Sequence, residues 1–156
     1  MGKSDKKDLP NMHATAIVVG ETGILITGAS GSGKSRLALE FIQTATAAGR
    51  FAALVADDQV FLKVAGQRII AVAPEAIAGL IEIRGSGIVA VPGLRRAVMH
   101  VALAVDDGPD GERLPDPGER LEIAAGPSLP LLHIGPGRLK NPVALLDAFT
   151  QNRLLL

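Results

Sequence analysis

The chain has 156 residues, of which 47% are hydrophobic, and this size and composition are typical of one globular domain. Sixteen basic residues balance sixteen acidic ones, so no net charge attracts nucleic acid or an anionic membrane surface. The sequence contains no Cys, Trp or Tyr, which excludes disulfides, thiolate metal ligands and a cysteine nucleophile, and leaves few aromatic platforms for single-stranded nucleic acid.

The N-terminal segment 1–11 is rich in Lys and Asp and carries almost no apolar residue. We expect it to be a disordered leader, and we expect one domain over residues 12–156. The segment lacks the apolar core of a secretory signal, and no apolar run in the chain approaches the roughly twenty residues that a membrane helix needs. These features predict a cytoplasmic protein without a membrane partner.

Two apolar runs, 13–19 and 23–27, are separated by a short turn-forming interval and predict a β-hairpin. The segment 28–35 follows directly and matches the phosphate-loop pattern G-x-x-x-x-G-K-[ST] without a mismatch. A helix that starts at Ser35 is predicted to end before Gly49, because glycine commonly follows the last turn of a helix. This order is typical of a nucleotide-binding α/β protein.

Each part of the phosphate loop has a chemical role. Its glycines permit backbone conformations in which successive N–H groups converge on one anion, and Lys34 adds a positive charge. The hydroxyl of Ser35 can reach a Mg²⁺ ion, while the helix N-terminus favours the anion. A Gly/Ser-rich linker is the alternative interpretation, and the flanking strand and helix argue against it. The residues predicted to bind the nucleotide are Gly28, Ala29, Ser30, Gly31, Ser32, Gly33, Lys34 and Ser35.

The next apolar run, 51–56, predicts a strand that is covered on both faces, and it ends at Asp57 and Asp58. Parallel sheets place their ligands at the carboxyl ends of strands, so these carboxylates indicate a site for phosphoryl transfer. One could face a metal and the other an incoming nucleophile. Alternatively, the pair only begins the turn into a second hairpin, predicted over 60–64 and 68–72.

The stretch 81–89 is apolar apart from Glu82 and Arg84, and two glycines interrupt it after Arg84. Side chains two positions apart in a strand share a face, so we expect Glu82 and Arg84 on one face. An ion pair on an exposed edge strand is the alternative to a role in the site.

The remaining segments complete a single α/β domain without an internal repeat. We predict a short helix over 74–79, a strand over 98–105, a surface loop over 106–119, short strands over 121–124 and 131–134, a turn at Pro136 and Gly137, and a final amphipathic helix from Asn141.

Four stretches stand in an order and spacing that one bacterial family shares. They are His13, the phosphate loop, the L-V-A-D-D-Q-V run 54–60 and the G-L-I-E-I-R-G-S-G-I run 79–88. They resemble the C-terminal catalytic domain of HPr kinase/phosphorylase, whose signature is the E-I-R-G-x-G-I stretch. The similarity covers residues 12–105 and continues weakly to 136–138, where the chain departs from the family's P-G-R-N segment. Beside the longer members, the chain looks like a short single-domain form.

The resemblance implies a phosphate-loop kinase fold like the nucleotide domain of phosphoenolpyruvate carboxykinase. It implies an enzyme that uses ATP and Mg²⁺ to phosphorylate a serine of the phosphocarrier protein HPr. It also implies the reverse phosphorolysis of phosphoserine-HPr by inorganic phosphate. The survival of that reverse reaction, the effectors and the assembly into a homo-oligomer are left open.

The resemblance also implies a role for each matching residue. Asp57 matches the acid/base partner of the acceptor serine, and Ser35, Asp58 and Glu82 match positions that face the metal. Lys34 and the loop amides match the phosphate-binding groups.

Three further residues match the family at the rim of the site. His13 matches a histidine beside the active site, where it could hold a carboxylate or a phosphate, and the alternative is a histidine at a strand start without a role. Arg84 belongs to the signature. Arg113 matches a basic residue of the family's mobile loop.

Two other functions remain compatible with the sequence. One is a kinase for a small molecule on the same scaffold, with the 106–119 loop as a lid. The other is a regulatory module that senses ATP without turnover. Asp57 discriminates between these classes in the sequence, because a sensor needs metal ligands but no proton acceptor.

Overall fold

The computed structural model describes residues 11–74, 79–106, 118–123, 126–135, 143–144 and 147. Its elements, in chain order, are β1 (Asn11–Met12), β2 (Thr15–Val19), β3 (Thr22–Thr27), α1 (Lys34–Ala47), β4 (Ala52–Ala56), β5 (Val60–Ala65), β6 (Arg68–Val72), β7 (Leu80–Ile83), β8 (Gly87–Ala90), β9 (Arg96–Met99), β10 (Val101–Val105), β11 (Arg120–Glu122) and β12 (Ser128–Ile134).

A central sheet of six strands carries the fold, in the order β11-β12-β10-β3-β2-β4. Strands β3, β10 and β12 are parallel to one another, and β2 is antiparallel to both β3 and β4. It follows that β4 runs in the same direction as β3. The carboxyl ends of β3, β4, β10 and β12 therefore meet at one edge of the sheet, which is where the phosphate loop begins.

Helix α1 packs on one face of this sheet through Leu37, Phe41 and Ile42, which join a core cluster with Ile17 and Leu54. The predicted hairpin before the phosphate loop is confirmed, because β2 pairs with β3. The predicted helix is also confirmed: it ends at Ala47, and Gly49 adopts a φ of 75° just beyond it. The buried strand predicted over 51–56 is β4, whose five residues are all buried.

A second sheet, in the order β1-β5-β6-β9, covers the opposite face. Its Val60, Leu62 and Ile69 pack with Leu25 and Val55 of the central sheet. The predicted second hairpin is confirmed as β5 and β6. Asn11, which the sequence assigned to the leader, pairs with Phe61 at the edge of this sheet.

The strand predicted over 98–105 is wrong as one element, because it is divided between the two sheets. Strand β9 pairs with β6, whereas β10 pairs with β3 and β12. The change of sheet occurs at His100, whose backbone N–H donates to Gly23 O at 2.8 Å and whose Nδ1 accepts from Gly23 N at 2.9 Å. Continuous apolar periodicity does not reveal a switch that one side chain stabilises.

The stretch 81–89 forms a separate hairpin of β7 and β8 rather than one interrupted strand. Gly85 and Gly87 both have positive φ at its turn, a conformation that side chains with a Cβ rarely adopt. Arg84 lies in that turn, outside the strand in which the sequence placed it. The hairpin packs against α1 through Ile81, which is fully buried.

The short strands predicted near 121–124 and 131–134 are confirmed as β11 and β12, with shifted bounds. Several predictions concern residues outside the described ones: segment 1–10, residues 75–78 of the short helix, residues 107–117 of the surface loop with Arg113, and the turn at Pro136 and Gly137. In the final helix, Val143, Ala144 and Asp147 are helical. Within the described parts of the chain, no helix has the length and apolar character to cross a membrane.

Candidate phosphoryl-transfer site

The phosphate loop forms a tight turn between β3 and α1. Gly31 and Gly33 have φ values of 79° and 103°, and Ser32 N donates to Ala29 O at 3.0 Å. A Cβ on Gly28 would lie 2.7 Å from Ser32 Oγ, so the loop has no room for a larger residue there. Ser32 Oγ is itself buried and has no hydrogen-bond partner. A buried hydroxyl without a partner inside a phosphate loop fits an anion that would satisfy it.

Lys34 is 6% exposed, and its ammonium lies under the loop. Nζ donates to Gly28 O at 3.0 Å and to Ala29 O at 3.1 Å, and it lies 3.3 Å from His13 Nε2. The charge is therefore held beside the loop by the backbone.

His13 links Lys34 to Asp58. An ammonium can only donate, so His13 Nε2 accepts from Lys34, and the ring proton of the neutral imidazole lies on Nδ1. His13 Nδ1 is 3.1 Å from Asp58 Oδ1, which this proton can reach. The side chain of Asp58 is 69% exposed and faces solvent next to the loop.

Asp57 has different contacts, although it is the adjacent residue. Its Oδ1 accepts from Ser35 Oγ at 2.7 Å and from Thr15 Oγ1 at 2.9 Å, and Thr15 is fully buried. The pairing of β2 with β4 shifts register beside Thr15, between Ala16 and Ile17. Bulges of this kind redirect side chains next to functional sites.

The backbone explains why the two carboxylates diverge. Asp58 has a φ of 70°, and no other non-glycine residue among the described ones has a positive φ. Asp tolerates this left-handed conformation better than most residues, at a cost in free energy that the surrounding structure must balance. The sequence predicted divergence of the pair. The resemblance implied the acceptor side for Asp57 and the metal side for Asp58. In the structure Asp57 contacts Ser35, and Asp58 is the more exposed of the two carboxylates.

The hairpin of β7 and β8 closes the other side of a cleft of about 490 Å³. Glu82 and Arg84 line this cleft together with the loop, Lys34, Ser35 and both aspartates. Glu82 and Arg84 do not form an ion pair in the described structure, so the alternative of an edge-strand pair lacks support. Most of the predicted site residues line this cleft, whereas Gly28, Ala29 and Ser32 of the loop do not. His13 also lies outside the lining and contacts Lys34 and Asp58, and Arg113 is outside the described residues.

A metal in this cleft would need ligands from the nucleotide. No group of three or more His, Asp or Glu side chains in the described segments is placed to hold a metal by itself. Ser35 and Asp57 offer one hydroxyl and one carboxylate in contact, and Mg²⁺ commonly takes one or two protein ligands together with phosphate oxygens and water. The donor set therefore fits Mg²⁺ bound with a nucleotide.

Sequence reasoning missed two features of this edge. Thr15 belongs to no motif, because its role depends on the pairing of β2 with β4.

The second feature is His133 on β12, which lies between two carboxylates. Its Nδ1 is 2.6 Å from Asp106 Oδ1, and its Nε2 is 2.9 Å from Glu119 Oε1. Burial lowers the pKa of His133, but the hydrogen bonds and charges of Glu119 and Asp106 outweigh it and raise that pKa above its ordinary value.

The fold and the site define a class, an α/β protein with a phosphate-loop motif at the carboxyl edge of its central sheet. A family model described as the HPr serine kinase C-terminal domain matches residues 7–97. The chain therefore belongs to this family, and the resemblance stated from its motifs is confirmed.

Individual relatives agree with this assignment. The HPr kinase/phosphorylase of Clostridium tetani is 42% identical over 96 residues, which cover 60% of this chain and 30% of that protein. The HPr kinase/phosphorylase of Clostridium acetobutylicum is 33% identical over 152 residues, which cover 90% of this chain and 47% of that protein. The chain thus spans about half the length, or less, of these curated relatives.

The mixed α/β fold matches a solved structure of the family. The structure of the Hpr(Ser) kinase/phosphatase from Coxiella burnetii superposes with a TM-score of 0.71 at 28% identity, over 94% of this chain and 91% of that chain.

Proposed function

We propose that this chain is an ATP- and Mg²⁺-dependent serine kinase whose protein substrate is HPr, on a scaffold of the phosphoenolpyruvate carboxykinase type. The observation that carries the proposal is the 2.7 Å hydrogen bond from Ser35 Oγ to Asp57 Oδ1, with Asp58 on the open side of the same cleft. A hydroxyl at the end of the phosphate loop and a carboxylate at the end of another strand are the protein ligands that phosphate-loop enzymes use for Mg²⁺.

Binding of the nucleotide uses the buried groups of the loop. The loop amides, Ser32 Oγ and Lys34 would hold the phosphates, while Ser35 and Asp57 would hold the metal, with Glu82 across the cleft. When bound, Mg²⁺ supplies positive charge that neutralises the phosphoryl oxygens during transfer. Thr15 keeps Asp57 oriented toward Ser35 through its hydrogen bond.

Proton transfer is assigned to Asp58 rather than to Asp57. Asp57 Oδ1 already accepts two hydrogen bonds within the protein, whereas Asp58 is exposed to an incoming serine hydroxyl. As the serine oxygen bonds to the γ-phosphorus and ADP leaves, Asp58 takes the hydroxyl proton. His13 donates to Asp58 and so fixes its orientation, and Arg84 lies where it could stabilise negative charge on the transferred group.

The same groups support the reverse reaction in this proposal. An oxygen of inorganic phosphate attacks the phosphoserine phosphorus, and the bond from that phosphorus to the serine oxygen breaks. Asp58, protonated at the start of this reaction, gives its proton to the leaving serine oxygen, and pyrophosphate is the other product. In both reactions a proton moves between Asp58 and the serine oxygen while the same oxygen–phosphorus bond forms or breaks, so a substitution at Asp58 lowers both.

The test separates the two aspartates by single-turnover transfer of labelled phosphate from ATP to HPr, alongside calorimetric nucleotide affinity. Asp58→Asn should bind Mg²⁺-ATP normally and transfer phosphate about 10² to 10⁴ times more slowly, because it lacks the base. Asp57→Asn should lose the Mg²⁺ dependence of nucleotide binding. Glu21→Gln, an exposed change in the β2–β3 turn, is the matched control.

Each failure has a distinct meaning. If Asp58→Asn transfers at the parental rate while Asp57→Asn binds normally and is slow, the roles are those implied by the resemblance. If the parent protein binds Mg²⁺-ATP but phosphorylates neither HPr nor any small acceptor, the sensor function replaces the kinase function.

A further inference from the structure

A second cleft of about 500 Å³ lies at the amino-terminal edge of the central sheet. It is bounded by the β5–β6 turn, the end of β9 and the start of β12, with Arg68, Arg120 and His100 among its polar lining. None of the described residues that line it is acidic. Its volume lies in the range of small-molecule sites, and Pro127, Leu129 and Pro130 provide an apolar wall.

His100 lines this cleft beside the start of β3. Its Nδ1 accepts from Gly23 N at 2.9 Å. The backbone N–H of His100 also donates to Gly23 O at 2.8 Å, which holds the residue at the start of β3. The imidazole orientation is therefore set by the sheet.

The arginines contribute the charge. Arg120 is oriented by Ser128, because its Nε donates to Ser128 Oγ at 2.5 Å and its Nη2 donates to Ser128 O at 2.9 Å. The other N–H groups of this guanidinium are not used by Ser128. Arg68 makes no side-chain hydrogen bond or ion pair in the described structure, although it is in the same cleft. Glu122 is exposed on the same face of β11 as Arg120, but it is not among the described residues that line the cleft. Within that lining the two guanidinium groups favour an anion.

We infer that this cleft, formed by Arg68, Arg120 and His100, binds a small metabolite through a phosphate or carboxylate group. Guanidinium groups match both anions with paired hydrogen bonds, and the apolar wall accommodates a short carbon skeleton. The described lining offers arginines for an anion and no carboxylate for a metal cation.

This site is distinct from the candidate phosphoryl-transfer site. Gly23, beside this cleft, stands near the start of β3, and Gly28, at the phosphate loop, follows its end. These two glycines are about 16 Å apart at roughly 3.3 Å per strand residue. The inference does not depend on the proposed kinase function, since a chain without transferase activity would keep this cleft.

Amide NMR of the full chain tests the inference and reports on both sites at once. Inorganic phosphate and citrate are added separately at constant ionic strength. The Gly23 amide, which donates to His100, reports on this cleft, and the amides of Gly31 and Gly33 report on the phosphate loop. We expect at least one of the two anions to cause a saturable change in the chemical shift of the Gly23 amide. A response to phosphate indicates a phosphorylated ligand, and a response to citrate indicates a carboxylated one.

Arg68→Gln should weaken this binding roughly tenfold or more, because a charge-assisted hydrogen bond is lost. Arg68 is exposed and holds no other side chain, so the variant should fold. Arg95→Gln, an exposed arginine outside the cleft, is the matched control and should titrate like the parent. Shifts confined to Gly31 and Gly33 with both probes, or equal affinities in the two variants, would overturn the inference.

Discussion

The two clefts lie at opposite ends of the central sheet and differ in charge rather than in size, at about 490 Å³ and 500 Å³. The cleft at the carboxyl edge combines Lys34 and Arg84 with Asp57, Asp58 and Glu82. The described lining of the other cleft has arginines and no acid. A site that moves a phosphoryl group needs carboxylates for a metal and a proton, whereas a site that only binds an anion does not. The comparison therefore separates a place suited to chemistry from a place suited to recognition.

The largest expected effect is a loss of nucleotide affinity, and we expect it only in the cleft at the carboxyl edge. Lys34→Ala removes the ammonium that lies against Gly28 O and Ala29 O, so Mg²⁺-ATP affinity should fall roughly 10- to 100-fold in a calorimetric titration. The phosphate-induced shift at Gly23 should persist, because that cleft does not use Lys34. An unchanged nucleotide affinity would remove the basis for the nucleotide site. Loss of both responses would show that the two clefts are not independent.

A smaller effect is expected from the buried support of Asp57. Thr15→Val keeps the shape of a fully buried side chain but removes its hydrogen bond to Asp57 Oδ1, so the free energy of unfolding should fall by about 1 kcal/mol in urea titrations. The Mg²⁺ concentration for half-maximal transfer should rise, because Asp57 is less firmly oriented toward Ser35. Thr22→Val, at the other end of the same hairpin, is the control. Equal Mg²⁺ requirements in both variants would contradict the positioning role of Thr15.

The smallest expected effect is a pH dependence of stability that comes from His133. This residue lies at the carboxyl edge of the central sheet but does not line the cleft there. The pKa of His133 is raised in the folded protein, so its contribution to stability is complete below its unfolded pKa of about 6.5. That contribution is lost as the pH rises through the higher folded-state pKa, because the neutral ring can donate to only one of Asp106 and Glu119. His133→Gln should remove this decline in urea titrations across that pH window. A parental decline that persists in the variant would assign it to another group.

Local motifs were sufficient to predict the elements that bear the site. The strand, phosphate loop and helix are one contiguous stretch, and the carboxylates directly follow the continuously apolar strand that became β4. Glycines of the signature predicted an interruption after Arg84, which the structure shows as a hairpin turn with positive φ at Gly85 and Gly87. Each of these features depends on residues a few positions apart.

Features that depend on distant residues were not predictable in the same way. The division of 98–105 between two sheets depends on the contact of His100 with Gly23, and the support of Asp57 by Thr15 depends on the register of β2 against β4. Periodicity reports which face of a strand is apolar, but it does not report which strand lies beside it.

The order of residues along the chain is enough to reveal a phosphate loop, an adjacent pair of carboxylates and the E-I-R-G-x-G-I stretch, and these motifs assign the chain to its family. Which carboxylate contacts Ser35 depends on the folded structure, because the φ of 70° at Asp58 turns that side chain toward His13, while Asp57 contacts Thr15 and Ser35. The folded structure also brings Arg68, Arg120 and His100 into one cleft, since residues this far apart in the chain meet only when β6, β9, β11 and β12 have assembled. Residue types are a local property of the chain, whereas the direction in which a side chain points and the residues that it contacts follow from strand pairing.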